Sequence, residues 1–126
     1  MRRQAAIKLN SGKFSLETLG FVTADDNSVM FEFEVDSDRM TVIACDGYAA
    51  VRREGDSAYE FELAADTNNP FLIVTEHGRI PAGITGKKIT LKKGPQPGLF
   101  VRFLLDIGGN EEEGVLTLKA TPQEEM

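Results

Sequence analysis

The sequence predicts an α+β domain in which antiparallel sheet dominates and two helices cover one face. Three observations predict it. Apolar and polar side chains alternate strictly over Val29–Val35, two short stretches around Phe14 and Phe71 carry spacing that fits helices, and the order strand, helix, three strands occurs twice. At 126 residues, with 41% hydrophobic and 27% charged side chains, 12 Gly and 5 Pro, the chain has the make-up of one folded domain. That excludes large catalytic barrels, two-domain enzymes and collagen-like or disordered chains. The predicted organisation is a single domain over 1–126 with pseudo-repeats at roughly 4–54 and 58–120, closed by an acidic tail at 121–126.

The first unit opens with a strand over Ala5–Leu9. Ser11 then caps a short helix that carries Phe14, Leu16 and Leu19 and ends near Gly20. Val29, Phe31, Phe33 and Val35 share one strand face and Met30, Glu32 and Glu34 the other, after which Asp36-Ser37-Asp38 supplies turn chemistry. Met40–Cys45 is apolar and β-branched, Asp46-Gly47 signals a hairpin, and Tyr48–Arg53 completes the unit. The second unit begins with Ala58–Ala64, where Tyr59, Phe61 and Leu63 alternate with Glu60 and Glu62. Asn68 or Asn69 caps a second helix with Pro70 at its first position and Phe71–Val74 buried, although this apolar run also fits a buried strand; His77-Gly78 ends either. Ile89 with Leu91, then Leu99–Ile107, then Val115 with Leu116 and Leu118 give three closing strands, the last two joined by turn residues from Gly108 to Gly114.

Charge falls in blocks within a formal net charge of −6. Arg2, Arg3, Lys8 and Lys13 make the start basic, Asp25 to Asp38 is acidic, Lys87, Lys88, Lys92, Lys93 and Arg102 form a second basic stretch, and the tail is acidic through Glu111–Glu113, Glu124 and Glu125. One cysteine cannot form an internal disulfide, no apolar run approaches the ~20 residues of a membrane span, and the first residues lack a signal-peptide core. A cytoplasmic protein without membrane contact is the expectation.

The stretch from Val29 to Arg53, an apolar strand, a polar turn, and Met40 to Cys45 running into Asp46-Gly47-Tyr48-Ala49-Ala50-Val51, resembles the sliding-clamp subunits of bacterial DNA polymerase, the polymerase III beta family. The resemblance implies a clamp-like domain of two strand-helix-three-strand units with no catalysis. It would hold duplex DNA through basic residues on inward-facing helices and replication or repair proteins in an apolar groove near the Asp-Gly turn. On this sequence the phosphate contacts map to Arg2, Arg3, Lys8, Lys13, His77 and Arg79, and the groove to Cys45, Gly47, Tyr48 and Ala50. The family's arginine and leucine after the turn are replaced here by Ala49 and Ala50. A lone clamp-like domain implies a homo-oligomer if a ring is to form.

The alternative is a small acidic interaction or inhibitory module, of phage or mobile-element type, that docks through Glu32–Asp38 and binds no DNA. Enzyme chemistry is the weakest reading. Cys45 and His77 are the only thiol and imidazole, nothing in the sequence brings them together, and two such ligands cannot fill a zinc site. Asp25-Asp26-Asn27 and Asp36-Ser37-Asp38 lack the rest of a calcium loop, and Gly83–Lys88 lacks phosphate-loop spacing, so neither metal nor cofactor is expected.

Overall fold

A computed structural model describes residues 2–123; Met1 and residues 124–126, including Glu124 and Glu125 of the acidic tail, lie outside the described residues. The described residues form ten strands and no helix. They are β1 (Arg2–Ser11), β2 (Phe14–Ala24), β3 (Val29–Val35), β4 (Asp38–Cys45), β5 (Tyr48–Glu54), β6 (Tyr59–Ala64), β7 (Asn68–Thr75), β8 (Gly78–Lys92), β9 (Gly98–Ile107) and β10 (Asn110–Pro122).

All lie in one antiparallel sheet ordered β6-β5-β4-β3-β2-β1-β10-β9-β8-β7. Consecutive strands are neighbours except at β6 and β7, and β1 zips against β10 from Ala5–Pro122 to Ser11–Leu116. The sheet therefore curls into a nearly closed barrel with a seam between β6 and β7. Backbone hydrogen bonds between Ala58 and Val74, at 2.8 and 2.7 Å, pin one end of that seam. Thr67 N–H to the Ala64 carbonyl, at 3.2 Å, pins the other.

This overturns the α+β class, the two strand-helix-three-strand units and the clamp-domain architecture. Both expected helices are strands. In β2, the β-formers Thr18, Phe21, Val22 and Thr23 outweigh the helical spacing of Phe14, Leu16 and Leu19, and every residue from Arg2 to Ser11 pairs with this strand. In β7, Phe71 and Ile73 face inward while Leu72 and Val74 face out, a two-residue period. Pro70 fits because β7 is a terminal strand of the sheet, where a missing N–H breaks no ladder.

An up-and-down order gives the barrel two ends. The lower end carries Arg2, Pro122 and the connections 25–28, 46–47, 65–67 and 93–97; the upper end carries 12–13, 36–37, 55–58, 76–77 and 108–109. The lower interior is solid. Ala5, Ile7, Val29, Phe31, Ala44, Ala49, Leu118 and Ala120 are each 1% exposed or less, small side chains alternating with large ones to fill the taper. Each large side chain buried this way contributes roughly 1.5–3 kcal/mol.

The upper half departs from this plan at Gly20. A Cβ there would run into the Glu32 carbonyl and crowd Ile7 and Phe33, so the backbones of β2 and β3 meet as only glycine allows. Their pairing covers Phe21–Ala24 against Val29–Glu32 and stops; above Gly20 the two strands part.

Candidate functional site

The interior is hollow above the packed layer, and beside β6 and β9 the hollow reaches down to Leu63 and Leu99. A cavity of about 240 Å³ is walled by aromatic and aliphatic side chains, among them Phe61, Phe71, Ile73, Ile84, Phe103 and Leu105; Ser11 and Tyr59 are its polar members. A hollow of about 320 Å³ adjoins it beneath the upper connections, adding Leu9, Phe14, Val35, Asp36, Met40 and Arg53. Ser11, Val51, Tyr59, Phe61 and Leu116 border both.

Strand alternation explains the lining. On β5, Ala49, Val51 and Arg53 face inward; on β6, Tyr59, Phe61 and Leu63 do. Tyr59 and Phe61 stack with centroids 5.7 Å apart, and Phe71 reaches across the seam to 4.9 Å from Phe61. Aromatic packing thus holds the middle of the seam, where the Asn69 Nδ2 also donates to the Glu62 carbonyl at 2.7 Å. Phe14, 46% exposed, stands at the upper rim.

One charged pair sits in the wall. Arg53 Nε donates to Asp38 Oδ2 at 2.9 Å. Asp38 is 4% exposed and also accepts from the backbone N–H of Asp56 at 2.9 Å and of Ser57 at 3.3 Å. Gly55, at φ 145°, lets the 55–58 connection fold over this carboxylate, since a Cβ there would strike Asp38. The Arg53 hydrogen bond, with the two backbone donors, holds the Asp38 carboxyl below its ordinary range against the opposing effect of burial. Burial works against the Arg53 charge, but hydrogen bonding to Asp38 and Tyr59 outweighs it and raises its pKa.

The residues expected to meet phosphate are scattered, and no helix presents them. Arg2 lies outside the barrel over the Phe21 ring at 3.8 Å and beside Glu32 at 3.2 Å. Arg3 borders a shallow hollow at the lower end with Val22, Pro95 and Pro122. Lys8 is mid-strand between Glu17 and Lys119, and Lys13 is in the upper β1–β2 turn. His77 sits in the β7–β8 turn beside Glu76, with Arg79 just beyond; β9 and β10 separate β8 from β1.

Cys45, Gly47, Tyr48 and Ala50 do cluster, because Cys45 pairs with Tyr48 across a two-residue turn in which Gly47 takes φ 73°. Cys45, Tyr48 and Ala50 face the outside of the barrel, opposite to the buried Ala44 and Ala49. Burial raises the Tyr48 pKa first, and the neighbouring Glu62 adds to it. Cys45 at the lower end and His77 at the upper end cannot act as a pair. Among the described residues no three His, Cys, Asp or Glu side chains stand where they could hold a metal ion, and no helix is long and apolar enough to cross a membrane.

Ser11, Arg53, Tyr59, Phe61 and Phe71, read from the sequence only as a helix cap, strand residues and a buried run, line the hollow together. One signal was available: Arg53 continues the inward alternation of Ala49 and Val51, and a charge at an inward strand position demands a partner or a function.

No family model and no curated protein matches the sequence. The YwiB protein from Bacillus subtilis has a similar solved structure, with a TM-score of 0.83 and 13% identity, covering 98% of this chain and 94% of that one. The fold is that of YwiB, not of a clamp. The likeness extends over nearly the whole barrel, whereas the sliding-clamp resemblance rested on residues 29–53, which form only β3, β4 and most of β5. A hairpin of that kind recurs in many β proteins, and here it belongs to a ten-stranded barrel and not to a clamp domain.

Proposed function

We propose that this chain is a non-enzymatic binding protein that takes a small, largely apolar ligand into the upper half of its barrel. One observation carries the reading: the same strands that pack the lower interior solid leave adjoining hollows of about 240 and 320 Å³ above it, lined by aromatic and aliphatic side chains with a few polar groups. Ligand sites are concave and mostly apolar in this way, at volumes of roughly 300–1,000 Å³, and barrel mouths commonly hold them. The single cysteine fits a reducing compartment, and a cytoplasmic location belongs to the proposal.

Titration with the neutral fluorophore N-phenyl-1-naphthylamine tests it. Saturable enhancement of emission at one site per chain is expected. Val51→Phe, which pushes a ring into the region bordering both hollows, should abolish that enhancement while the circular dichroism spectrum stays that of the parent. Enhancement that does not saturate, or that survives Val51→Phe, would count against interior binding.

A further inference from the structure

We infer that the ligand is an anionic amphipath, a single alkyl chain ending in a carboxylate, with its head group against Arg53; this rests on the binding reading above. The lining is sorted by polarity along the barrel. Phe61, Phe71, Ile84 and Phe103 surround the inner hollow, while Arg53 borders only the upper one, with Ser11 and Tyr59 at the boundary between them. A chain inside and a head group above fit that sorting.

Arg53 is built as a receptor for an anion. Its side chain is 18% exposed, and Nε is fixed by Asp38 at 2.9 Å. Asp38 meets backbone donors at Asp56 and Ser57 as well, so its charge is spread over three partners and covered by the 55–58 connection; it does not border the cavity, whereas Arg53 does. A guanidinium carries five N–H donors in a rigid fork; Nε gives one to Asp38 and Tyr59 stands against another, which leaves donors over for a ligand. A carboxylate matches the geometry of the remaining donors. Tyr59 on the adjoining β6 and Ser11 at the end of β1 line the same hollow and supply hydroxyl groups to it. Asp36 at the rim opposes a higher negative charge, which selects a monoanion.

Displacement of N-phenyl-1-naphthylamine by decanoate, decanol and decylammonium at pH 7.5 reads the head group. Decanoate should compete about tenfold more tightly than decanol, the equivalent of one charge-assisted contact, and decylammonium should be weakest. In the double variant Arg53→Met with Asp38→Asn, which leaves no unpaired buried charge, decanoate should fall to the level of decanol while decanol itself changes less than about twofold. Asp36→Asn, a replacement that tolerates the turn's positive φ, should tighten decanoate in an otherwise intact protein. Equal competition by all three amphipaths, or a decanoate preference that persists in the double variant, would overturn the carboxylate assignment and leave interior binding standing. Failure of the fluorophore and all three amphipaths to bind would overturn both.

Discussion

The lower and upper halves of this barrel are cut from the same strands and share one alternation of inward and outward side chains, yet one is solid and the other hollow. Below, Ile7, Val29, Phe31 and Leu118 interlock with Ala5, Ala44, Ala49 and Ala120 and leave nothing exposed. Above, Tyr59, Phe61, Phe71, Phe103 and Leu105 are only half-buried although they point the same way. Backbone pairing makes the difference. β2 and β3 are laddered near the lower end but part above Gly20, and β6 lies apart from β7 along its length except at the bridges that pin the two ends of the seam. Interior volume follows from where the ladders stop, and large side chains alone do not fill it.

Truncating one phenylalanine in each half should give the largest contrast. Phe31→Ala in the solid half should cost about 3–5 kcal/mol, because its neighbours cannot collapse into the space. Phe103→Ala in the hollow half should cost clearly less, since its ring already borders a cavity. Urea denaturation of both variants would measure the gap; equal costs would mean that the upper half is packed as firmly as the lower.

Gly20 is where the two halves divide. Gly20→Ala drives a methyl group against the Glu32 carbonyl and should cost roughly 1–3 kcal/mol. The damage should centre on the hydrogen bonds joining Phe21–Ala24 to Val29–Glu32, and faster amide exchange there than around Ile89 would locate it. Uniform loss of protection would instead mean that the fork does not separate two regions.

Strands with local alternation were legible in the sequence. Val29–Val35 is β3 as read, and Asp46-Gly47 and Asp36-Ser37 turn the chain where turn chemistry places them. The helices failed because Phe14, Leu16 and Leu19 satisfy two periods at once, and because Asn68-Asn69-Pro70 reads equally as a helix cap and as the start of an edge strand. Closure was not legible at all. Pairing of Ile7 with Ala120, and the missing pairing of β6 with β7, depend on partners far apart in the chain, which alternation within one strand does not encode. The cavity follows from closure, so Tyr59 and Phe71 could be read as inward-facing but not as facing each other.

Acid should separate the halves more gently. Asp38 in the upper half is held below the ordinary carboxyl value of about 3.9 by Arg53 and two backbone donors, and Asp25 at the lower end is held low by the N–H groups of Asn27 and Ser28. A depressed native pKa contributes stability that is whole above about pH 3.9 and is lost as pH falls toward the depressed value. Asp38→Asn should therefore be less stable than the parent at neutral pH but show a shallower decline below about pH 4, measured as melting temperature against pH. The Asp25 share of the decline should remain. Parallel curves for parent and variant would mean that Asp38 is not ionised more readily in the fold than out of it.

The smallest effect on stability should fall at the seam. Asn69 replaces a missing ladder bond with its own amide, donating to the Glu62 carbonyl at 2.7 Å. Asn69→Ala removes one exposed hydrogen bond and should cost only about 0.5–1.5 kcal/mol, because water can take the freed carbonyl. On the binding function proposed above, its larger effect should be on the rates of ligand uptake and release. Between the bridges at Ala58–Val74 and Ala64–Thr67, this bond and the Tyr59, Phe61 and Phe71 rings are what span the gap, so losing it eases separation of the two strands beside the inner hollow. Stopped-flow mixing with N-phenyl-1-naphthylamine should show faster association and faster release by a similar factor, with affinity nearly unchanged, because a gate alters both rates without altering the bound state. Unchanged rates in Asn69→Ala would assign passage to the upper rim beside Phe14, and the decisive variant would then be Phe14→Ala.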